Sequence, residues 1–325
     1  MERAIAAAQR VRARTSPNPW VGCVVVTVDG HEFEGATEAP PGRHAEVVAL
    51  DAARAAGFDV AGATVYVTLE PCAHHGRTPP CADALVAGGV SRVVIGVVDP
   101  DPRVAGRGID RLRAAGVDVT PGVGADLATA QLAPYLHHRR TGRPYVVLKL
   151  ASSLDGRTAA PDASSRWITG PDARADVHRL RAESDAVLVG AGTVRADNPR
   201  LDVRVPGESF RDPLRVVLGA APPDAAIHPC LELSGPLTNV LDTLGGKGVL
   251  QLLVEGGATV AGAFHRERLV DRYVVYVAPA LFGGDDGRPV FAGAGAPTID
   301  DVWRGEFADV TRLGADLRLD VVRAA

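Results

Sequence analysis

The sequence predicts an α/β protein of two domains. Its 325 residues are enough for two domains of roughly 100–200 residues each. Short apolar runs alternate with helical segments along most of the chain, an order that is typical of sheets covered by helices on both faces. A Thr-Gly-Arg-Pro break at residues 141–144 separates two such series. We therefore expect one domain at 1–143 and a second at 144–325.

In the first half, turn and cap residues separate the predicted elements. The pattern predicts helices at 2–13, 45–56, 81–87, 106–115 and 124–140, and strands at 21–28, 31–35, 64–69, 92–98 and 117–120. Asp29-Gly30 is typical of a hairpin turn, and Gly57 is placed to cap the helix before it. The Ala- and Arg-rich residues 2–14 also have the composition of a transit peptide. The Ser-Pro-Asn-Pro run directly after them favours a first helix instead.

The second half repeats the alternation with two Gly-rich turns. The pattern predicts strands at 145–151, 186–190, 214–218 and 249–254, and helices at 171–183 and from 258 to about 267. Gly-rich turns at 190–199 and 255–258 follow strands, where free backbone N–H groups can bind phosphate. Neither turn has the G-x-G-x-x-G pattern, so a Rossmann domain is not supported. Residues 206–248 are interrupted by Pro and Gly, and 220–235 carries no clear element.

His44, Cys72 and Cys81 form a candidate metal site, with Glu46 two places after the His. This is the H-x-E…P-C…C pattern of zinc-dependent nucleobase deaminases. One imidazole and two thiolates occupy three tetrahedral positions on zinc and leave the fourth for water, whose pKa the metal lowers to about 7. Glu46 is then not a ligand but carries protons from the water to the ring nitrogen and the departing amine. Cysteines are often only small buried hydrophobes, but both ligand sets fall at predicted helix N-termini, where thiolates are favoured.

The spacing and length of the motifs indicate which deaminase family the chain resembles. The deaminase signature has two residues between its cysteines, whereas eight separate Cys72 from Cys81. The run Thr-Leu-Glu-Pro-Cys-Ala-His-His-Gly-Arg-Thr-Pro-Pro-Cys at 68–81 resembles the deaminase half of the bifunctional riboflavin-biosynthesis deaminase/reductases, as does Ser-Pro-Asn-Pro-Trp-Val-Gly-Cys-Val at 16–24. Lys-Leu-Ala-Ser-Ser-Leu-Asp-Gly at 149–156, Trp-Ile-Thr at 167–169 and Val-Glu-Gly-Gly-Ala at 254–258 resemble the reductase half. The resemblance covers nearly the whole chain.

The resemblance implies both a fold and a pair of reactions. It implies an N-terminal cytidine-deaminase-like three-layer α/β/α domain and a C-terminal dihydrofolate-reductase-like α/β domain. The implied reactions are the zinc-dependent hydrolytic deamination of 2,5-diamino-6-(5-phosphoribosylamino)pyrimidin-4(3H)-one and the NADPH-dependent reduction of its ribosyl group to a ribityl side chain. The implied cofactors are therefore Zn²⁺ and NADPH, and the partner is a small-molecule phosphoribosylated pyrimidine. A homo-oligomer is also implied.

Roles carry over residue by residue. In the deaminase half the implied substrate residues are Asn18, His74 and Arg77, with the last two expected near the ribose phosphate. In the reductase half the implied NADPH site comprises Ala151, Trp167, Thr193, Asp197, Gly257, Ala258, Thr259, Val260, Ala261, Gly262 and Ala263. The implied substrate residues there are Lys149, Ser165, Thr169, Arg181, Leu201, Arg204 and Glu255. No local motif explains a preference for the 2′-phosphate of NADPH.

The chain departs from the family pattern at two places. Thr37 stands seven residues before His44, where the family has a His, and Arg43 is a candidate substitute for that substrate contact. The stretch 206–248 is shorter than in the family. Two alternatives therefore stay open: a zinc deaminase of another nucleobase or nucleoside, and a chain whose reductase-like domain is degenerate and non-catalytic.

Composition limits the partners. The net charge of −4 without a block of like charges argues against nucleic acid or membrane as a main partner. No apolar run approaches the length of a membrane span. Of the four cysteines, Cys23 and Cys230 fit no disulfide pattern, so we expect a cytoplasmic protein.

Overall fold

The computed structural model describes residues 1–73 and 79–324 of the chain. The chain divides into two compact units, Met1–Gly142 and Arg143–Ala325. Within the described residues, no helix combines the length and the apolar character needed to cross a membrane.

A five-stranded sheet organises the described part of the first unit. Its helices are α1 (Glu2–Val11), α2 (Ala45–Ala55), α3 (Cys81–Ala87), α4 (Arg107–Ala114), α5 (Ala125–Gln131) and α6 (Ala133–Thr141). Its strands are β1 (Gly22–Val26), β2 (Glu32–Ala36), β3 (Thr64–Leu69), β4 (Arg92–Val97) and β5 (Asp118–Pro121). The strand order is β2-β1-β3-β4-β5, with β1 antiparallel to β2 and β3 and with β3, β4 and β5 parallel.

Two glycines show that helices cover both faces of this sheet. A Cβ on Gly22 would collide with the carbonyl oxygen of Ala4 in α1, and a Cβ on Gly35 would collide with that of Ala45 in α2. Cys23 pairs directly with Gly35, so Gly22 points to the opposite face. Helices α1 and α2 therefore lie on opposite faces, which confirms the predicted three-layer arrangement.

The single helix predicted at 124–140 is wrong. The chain forms two helices, α5 and α6, that meet at Leu132. Pro134 lies in the first turn of α6. Because proline has no N–H to donate, it is tolerated in the first turn but interrupts a helix interior. The second helix therefore starts afresh just before it.

The second unit is organised around an eight-stranded sheet. Its helices are α7 (Pro171–Ala182), α8 (Ala191–Asp197), α9 (Leu237–Gly246) and α10 (Ala258–Arg266), with a short 3₁₀ helix at Ile299–Asp301. Its strands are β6 (Tyr145–Ser153), β7 (Arg157–Ala159), β8 (Ala186–Gly190), β9 (Leu214–Leu218), β10 (Leu231–Leu233), β11 (Gln251–Val254), β12 (Arg272–Ala278), β13 (Arg288–Pro289), β14 (Gly305–Leu313) and β15 (Asp316–Arg323). The order is β10-β9-β8-β11-β6-β12-β15-β14, parallel from β10 to β12 and antiparallel from there on; β7 and β13 form a separate pair.

Alternate residues of β6 enter two separate cores. Val146 packs in one cluster with Leu241 of α9 and Phe264 of α10. Val147 packs in the other with Leu180 of α7. Successive side chains of a strand point to opposite faces, so this sheet is also covered on both sides. Strands β6, β8 and β11 are parallel, and their carboxyl ends meet at one edge of the sheet.

Two predictions for the second unit are wrong. Residues 191–197 form helix α8 rather than a turn: Gly190 is its N-cap, and Asn198, with φ of 42°, ends it in the left-handed region. The expectation that residues 220–235 carry no regular element is wrong near the end of that stretch, where β10 pairs in parallel with β9. Helix α9 follows and buries one apolar face: Leu237, Val240, Leu241 and Leu244.

Candidate active sites

Three metal-ligating side chains meet in the first unit. Nδ1 of His44 lies 3.0 Å from Sγ of Cys81 and 3.7 Å from Sγ of Cys72, and the ligand atoms of the three residues all lie within 4.8 Å of one another. His44 is the N-cap of α2, Cys81 is the first residue of α3, and Cys72 follows β3. One imidazole and two thiol groups at this spacing fit a tetrahedral zinc site with one position open.

The surroundings of Cys72 favour its thiolate. Hydrogen bonding with the Cys81 thiol and with His44 lowers the pKa of Cys72 to about 4. The backbone N–H of Cys81 also donates to Sγ of Cys72, at 3.3 Å. Because the thiolate is the form that binds metal, the fold prepares this side chain for ligation.

Glu46 is a buried carboxyl group that lines the same pocket. It lies in the first turn of α2 and is only 4% exposed. Burial, and next the charge of Cys72, raise the pKa of Glu46 to about 7. A carboxyl group with a pKa near neutrality can both accept and release a proton. The pocket that it shares with His44 and Cys72 has a volume of about 220 Å³.

The remaining predicted deaminase residues have different outcomes. Asn18 lines the same pocket. His74 and Arg77 lie outside the residues that the structure describes, so their expected contact with the ribose phosphate stays a prediction.

Thr37 and Arg43 both have partners within the protein. Thr37 lines the pocket, where its hydroxyl accepts a hydrogen bond from the N–H of Val21 at 3.1 Å. Arg43 donates to Glu38 at 2.6 Å and to Asp51 at 3.0 Å. The pocket lining found among the described residues does not include Arg43, so nothing here supports it as a substitute for the family's His.

The sequence patterns gave no role to Glu70, which shapes the deaminase pocket. Its Oε2 accepts the backbone N–H groups of Asp99 at 3.2 Å and Gly106 at 3.0 Å, and its Oε1 accepts those of Gly108 at 3.0 Å and Ile109 at 3.4 Å. This buried carboxylate therefore fixes the loop between β4 and α4, which forms part of the pocket wall.

A second pocket, of about 690 Å³, lies in the second unit. Its lining brings together most of the residues predicted for the reductase: Lys149, Ala151, Ser165, Trp167, Thr169, Arg181, Thr193, Asp197, Leu201, Arg204 and Glu255. They come from β6, α7, α8, the loops between these elements and the end of β11. The carboxyl ends of parallel strands are the usual position of a ligand site in such sheets.

A buried ion pair dominates the charge of this pocket. Nε of Arg181 donates to Oε1 of Glu255 at 2.6 Å and Nη2 donates to Oε2 at 2.9 Å, with the side chains 13% and 7% exposed. Burial lowers the pKa of Lys149, Glu255 opposes that shift, and Arg181 adds to it. Two cations beside one carboxylate leave an excess positive charge, which suits an anionic ligand.

Residues 257–263, which were also predicted for the NADPH site, lie at the start of α10. Gly257 is the N-cap of α10 and the others form its first two turns; none of them is part of the lining found among the described residues. Ala261 is fully buried in the core. A Cβ on Gly257 would lie 3.6 Å from Oγ1 of Thr193, so the N-terminus of α10 adjoins the pocket and offers it free backbone N–H groups.

His178 is a pocket residue that the sequence analysis missed. Its Nδ1 accepts the backbone N–H of Arg204 at 3.2 Å and lies 3.2 Å from the carbonyl oxygen of Asp202. Arg181 also donates to that carbonyl. His178 and Arg181 are three residues apart and therefore lie on one face of α7; this spacing was the available signal.

The fold and the two pockets together define a two-domain α/β enzyme that joins a zinc-type deaminase centre to a second active site. Residues 1–97 match the family model described as the cytidine and deoxycytidylate deaminase zinc-binding region, and residues 144–319 match the RibD C-terminal domain. Riboflavin biosynthesis protein RibD of Escherichia coli (strain K12) is 40% identical over 365 residues, which cover 100% of this chain and 98% of that protein.

Solved structures agree with the sequence matches. Acinetobacter baumannii RibD superposes with a TM-score of 0.92 at 40% identity, covering 100% of this chain and 98% of the other. A diaminohydroxyphosphoribosylaminopyrimidine deaminase/5-amino-6-(5-phosphoribosylamino)uracil reductase from Thermotoga maritima gives 0.89 at 33%, covering 100% and 97%. The chain belongs to the RibD family, the bifunctional deaminase/reductases of riboflavin biosynthesis.

These matches confirm several predictions. The cytidine-deaminase-like and RibD reductase domains, the two activities in riboflavin biosynthesis, and Zn²⁺ and NADPH as cofactors are those of the family. The substrate is a small-molecule pyrimidine. A deaminase of another base with a degenerate reductase domain is not favoured.

Proposed function

We propose that the domain at 1–143 deaminates 2,5-diamino-6-(5-phosphoribosylamino)pyrimidin-4(3H)-one and that the domain at 144–325 reduces the ribosyl group of the product with NADPH. The observation that carries the proposal is the cluster of His44, Cys72 and Cys81, of which His44 and Cys72 line one pocket with the buried Glu46. The compact units Met1–Gly142 and Arg143–Ala325 support the two-domain division.

At the deaminase pocket, His44, Cys72 and Cys81 would hold the metal. Zinc, when bound, supplies a Lewis acid that makes water nucleophilic at neutral pH. Glu46 takes one proton from the attacking water and delivers it to the ring nitrogen. It then takes the remaining hydroxyl proton and delivers it to the amine, which leaves as ammonia while the carbonyl forms. Its raised pKa, about 7, suits both transfers. Asn18 contacts the pyrimidine from the wall of the same pocket.

In the reductase pocket, the chain binds and aligns two ligands. NADPH, when bound, would supply the hydride; Ala151, Trp167, Thr193 and Asp197 would bind it, with the N-terminus of α10 at residues 257–260 beside them. Lys149, Ser165, Thr169, Arg181, Leu201, Arg204 and Glu255 bind the substrate. Glu255 fixes the guanidinium of Arg181, and Lys149 beside them orients the open-chain form of the sugar. The excess positive charge of this cluster favours a phosphorylated substrate.

A cytoplasmic location, a homo-oligomeric state and the absence of a nucleic-acid partner belong to the same proposal. The net charge of −4 supports the last point, because nucleic-acid binding depends on clustered cations. Light scattering coupled to size-exclusion chromatography tests the oligomer, and a monomer mass at all concentrations would contradict it.

The direct test measures the two reactions separately. The purified chain should release ammonia from the diaminopyrimidine substrate without NADPH, and should oxidise NADPH when both are present. Removal of metal with a chelator should abolish ammonia release, and zinc should restore it. NADPH oxidation with the deaminated intermediate should survive the chelator, which is the internal control. Ammonia release without NADPH oxidation would refute the reductase assignment.

A further inference from the structure

Segment 199–204 forms part of the wall of the reductase pocket in a constrained conformation. Every one of its residues except Val203 belongs to the lining found among the described residues. Leu201 has φ of 54° and is only 4% exposed. A residue with a side chain keeps such a left-handed conformation only where surrounding contacts hold it. One of these contacts is the N–H of Val203, which donates to Oδ1 of Asp212 at 2.8 Å.

Helix α7 supplies two further contacts to the same segment. Nη1 of Arg181 donates to the carbonyl oxygen of Asp202 at 3.2 Å. Nδ1 of His178 accepts the backbone N–H of Arg204, also at 3.2 Å. His178 and Arg181 lie on one face of the helix, so α7 holds the segment at two positions. Arg181 is fixed by its ion pair with Glu255, and His178 holds the end of the segment.

The contact with Arg204 requires a neutral His178 with its proton on Nε2. A protonated Nδ1 has no lone pair and cannot accept an N–H. Burial lowers the pKa of His178, the guanidinium groups of Arg181 and Arg204 lower it further, and Asp202 opposes the shift. The charge of Glu255 also interacts with that of His178. Since the pKa is held below its ordinary value, the neutral imidazole is the main form at pH 7.

The side chain of Arg204 has few other restraints. It is 66% exposed, and its Nε lies 3.6 Å from Oδ1 of Asp202. An exposed ion pair of this kind contributes little. Its Nη2 lies 3.5 Å from Nε2 of His178, but both atoms carry hydrogens in this tautomer and do not bond. The position of the guanidinium therefore depends on where the backbone of Arg204 is held.

We propose that His178 is a positioning residue of the reductase pocket, which fixes the backbone of Arg204 through Nδ1 and so places its guanidinium for the substrate. The proposal rests on the proposed function, in which Leu201 and Arg204 bind the substrate. His178 itself needs no contact with either ligand. Its effect should therefore be on the binding of the substrate rather than of NADPH.

The test compares His178→Leu with His178→Asn. The side-chain oxygen of asparagine can take the place of Nδ1 and accept the same N–H, whereas leucine cannot. His178→Leu should raise KM for the deaminated intermediate about fivefold or more, with KM for NADPH and kcat little changed. His178→Asn should restore most of the loss at neutral pH. Arg179→Gln, at an exposed position of α7 outside the described lining, is the matched control.

The pH dependence of KM gives a second measurement. Protonated Nδ1 would face the carbonyl oxygen of Asp202, 3.2 Å away, and the N–H of Arg204 would lose its acceptor. In the unaltered protein KM for the intermediate should therefore rise as the pH falls through the pKa of His178. Asparagine does not titrate, so His178→Asn should lack this rise. Any rise that protonation of the substrate phosphate causes is common to both proteins and cancels in their ratio.

Three results would overturn the inference. They are an unchanged KM for the intermediate in His178→Leu, equal increases for the intermediate and NADPH, and no recovery in His178→Asn. If the unaltered protein does not oxidise NADPH with the intermediate, the proposed function fails instead. Amide hydrogen exchange of residues 199–204 in the full chain then decides without substrate. Faster exchange in His178→Leu than in His178→Asn supports the inference, and equal exchange refutes it.

Discussion

At the scale of single residues, Glu70 has a structural role outside the two reactions. It accepts four backbone N–H groups from the loop and helix start that form part of the deaminase pocket wall. Glu70→Ala leaves these donors without a partner and should lower the free energy of unfolding by roughly 3 kcal/mol. Denaturant titration of the full chain measures the change. Glu70→Gln keeps one acceptor oxygen and should lose less; equal stability of Glu70→Ala and the unaltered protein would contradict the account.

Glu255 controls the protonation of Lys149. Burial lowers the pKa of Lys149 and Glu255 raises it, so Glu255→Gln should lower it further. The ammonium form is then lost at a lower pH. Since we propose that this ammonium orients the substrate, the alkaline limb of kcat/KM for reduction of the deaminated intermediate should move to lower pH. The exposed Glu267→Gln should leave the limb in place. An alkaline limb that does not move in Glu255→Gln would contradict the proposed role of Lys149.

The sequence identifies residues well when they share a local motif. His44, Glu46, Cys72 and Cys81 fall within 38 positions of one another and carry an interpretable pattern. The pairing of Tyr135 with Asp99 has no such signal, because α6 reaches the pocket only through the fold. The contact between Arg181 and Glu255 also has no local signal. The two residues are far apart along the chain, yet their side chains form an ion pair at 2.6 Å.

At the scale of elements, the fit between α1 and β1 requires a residue without a side chain. A Cβ on Gly22 would collide with backbone atoms of Ala4 and Ala8. Gly22→Ala must therefore displace α1. We expect the free energy of unfolding to fall by about 4 kcal/mol, which is at the upper end for a single substitution. Thermal or denaturant unfolding measures it.

Gly246→Ala is the matched control. Gly246 lies in α9, and a Cβ there would meet no atom within 4 Å. Alanine has the higher helix propensity, so this variant should be neutral or more stable by up to about 1 kcal/mol. Equal losses in the two variants would contradict the packing argument for α1.

Element prediction failed where a local signal has two interpretations. The Gly-Ala-Gly-Thr run at 190–193 is typical of a turn, yet packing places it as the cap and first residues of α8. Pro134 interrupts 124–140, but a proline in a first turn starts a helix as well as it ends one. The apolar spacing of α9 was visible in the sequence, while the Pro and Gly residues around it suggested irregular structure. Strands β12, β14 and β15 carry no catalytic motif, and no pattern in the sequence assigned them.

At the scale of the whole molecule, the described part of each unit contains a pocket with its own chemistry. The α/β class followed from alternating elements, and the assignment of each half followed from motifs that span nearly the full chain. Periodicity alone does not give the strand order β10-β9-β8-β11-β6-β12-β15-β14, because strand pairing depends on contacts between distant segments. That order nevertheless brings Lys149, in the middle of β6, close to Glu255, which directly follows β11.

The most direct measurement is NADPH oxidation by Glu46→Gln in a coupled assay. Loss of the acid–base group should slow deamination about 100-fold or more. The variant should therefore oxidise almost no NADPH with the diaminopyrimidine substrate, but should match the unaltered protein once the deaminated intermediate is added. NADPH oxidation at the unaltered rate from the starting substrate would contradict both the role of Glu46 and the order of the two reactions.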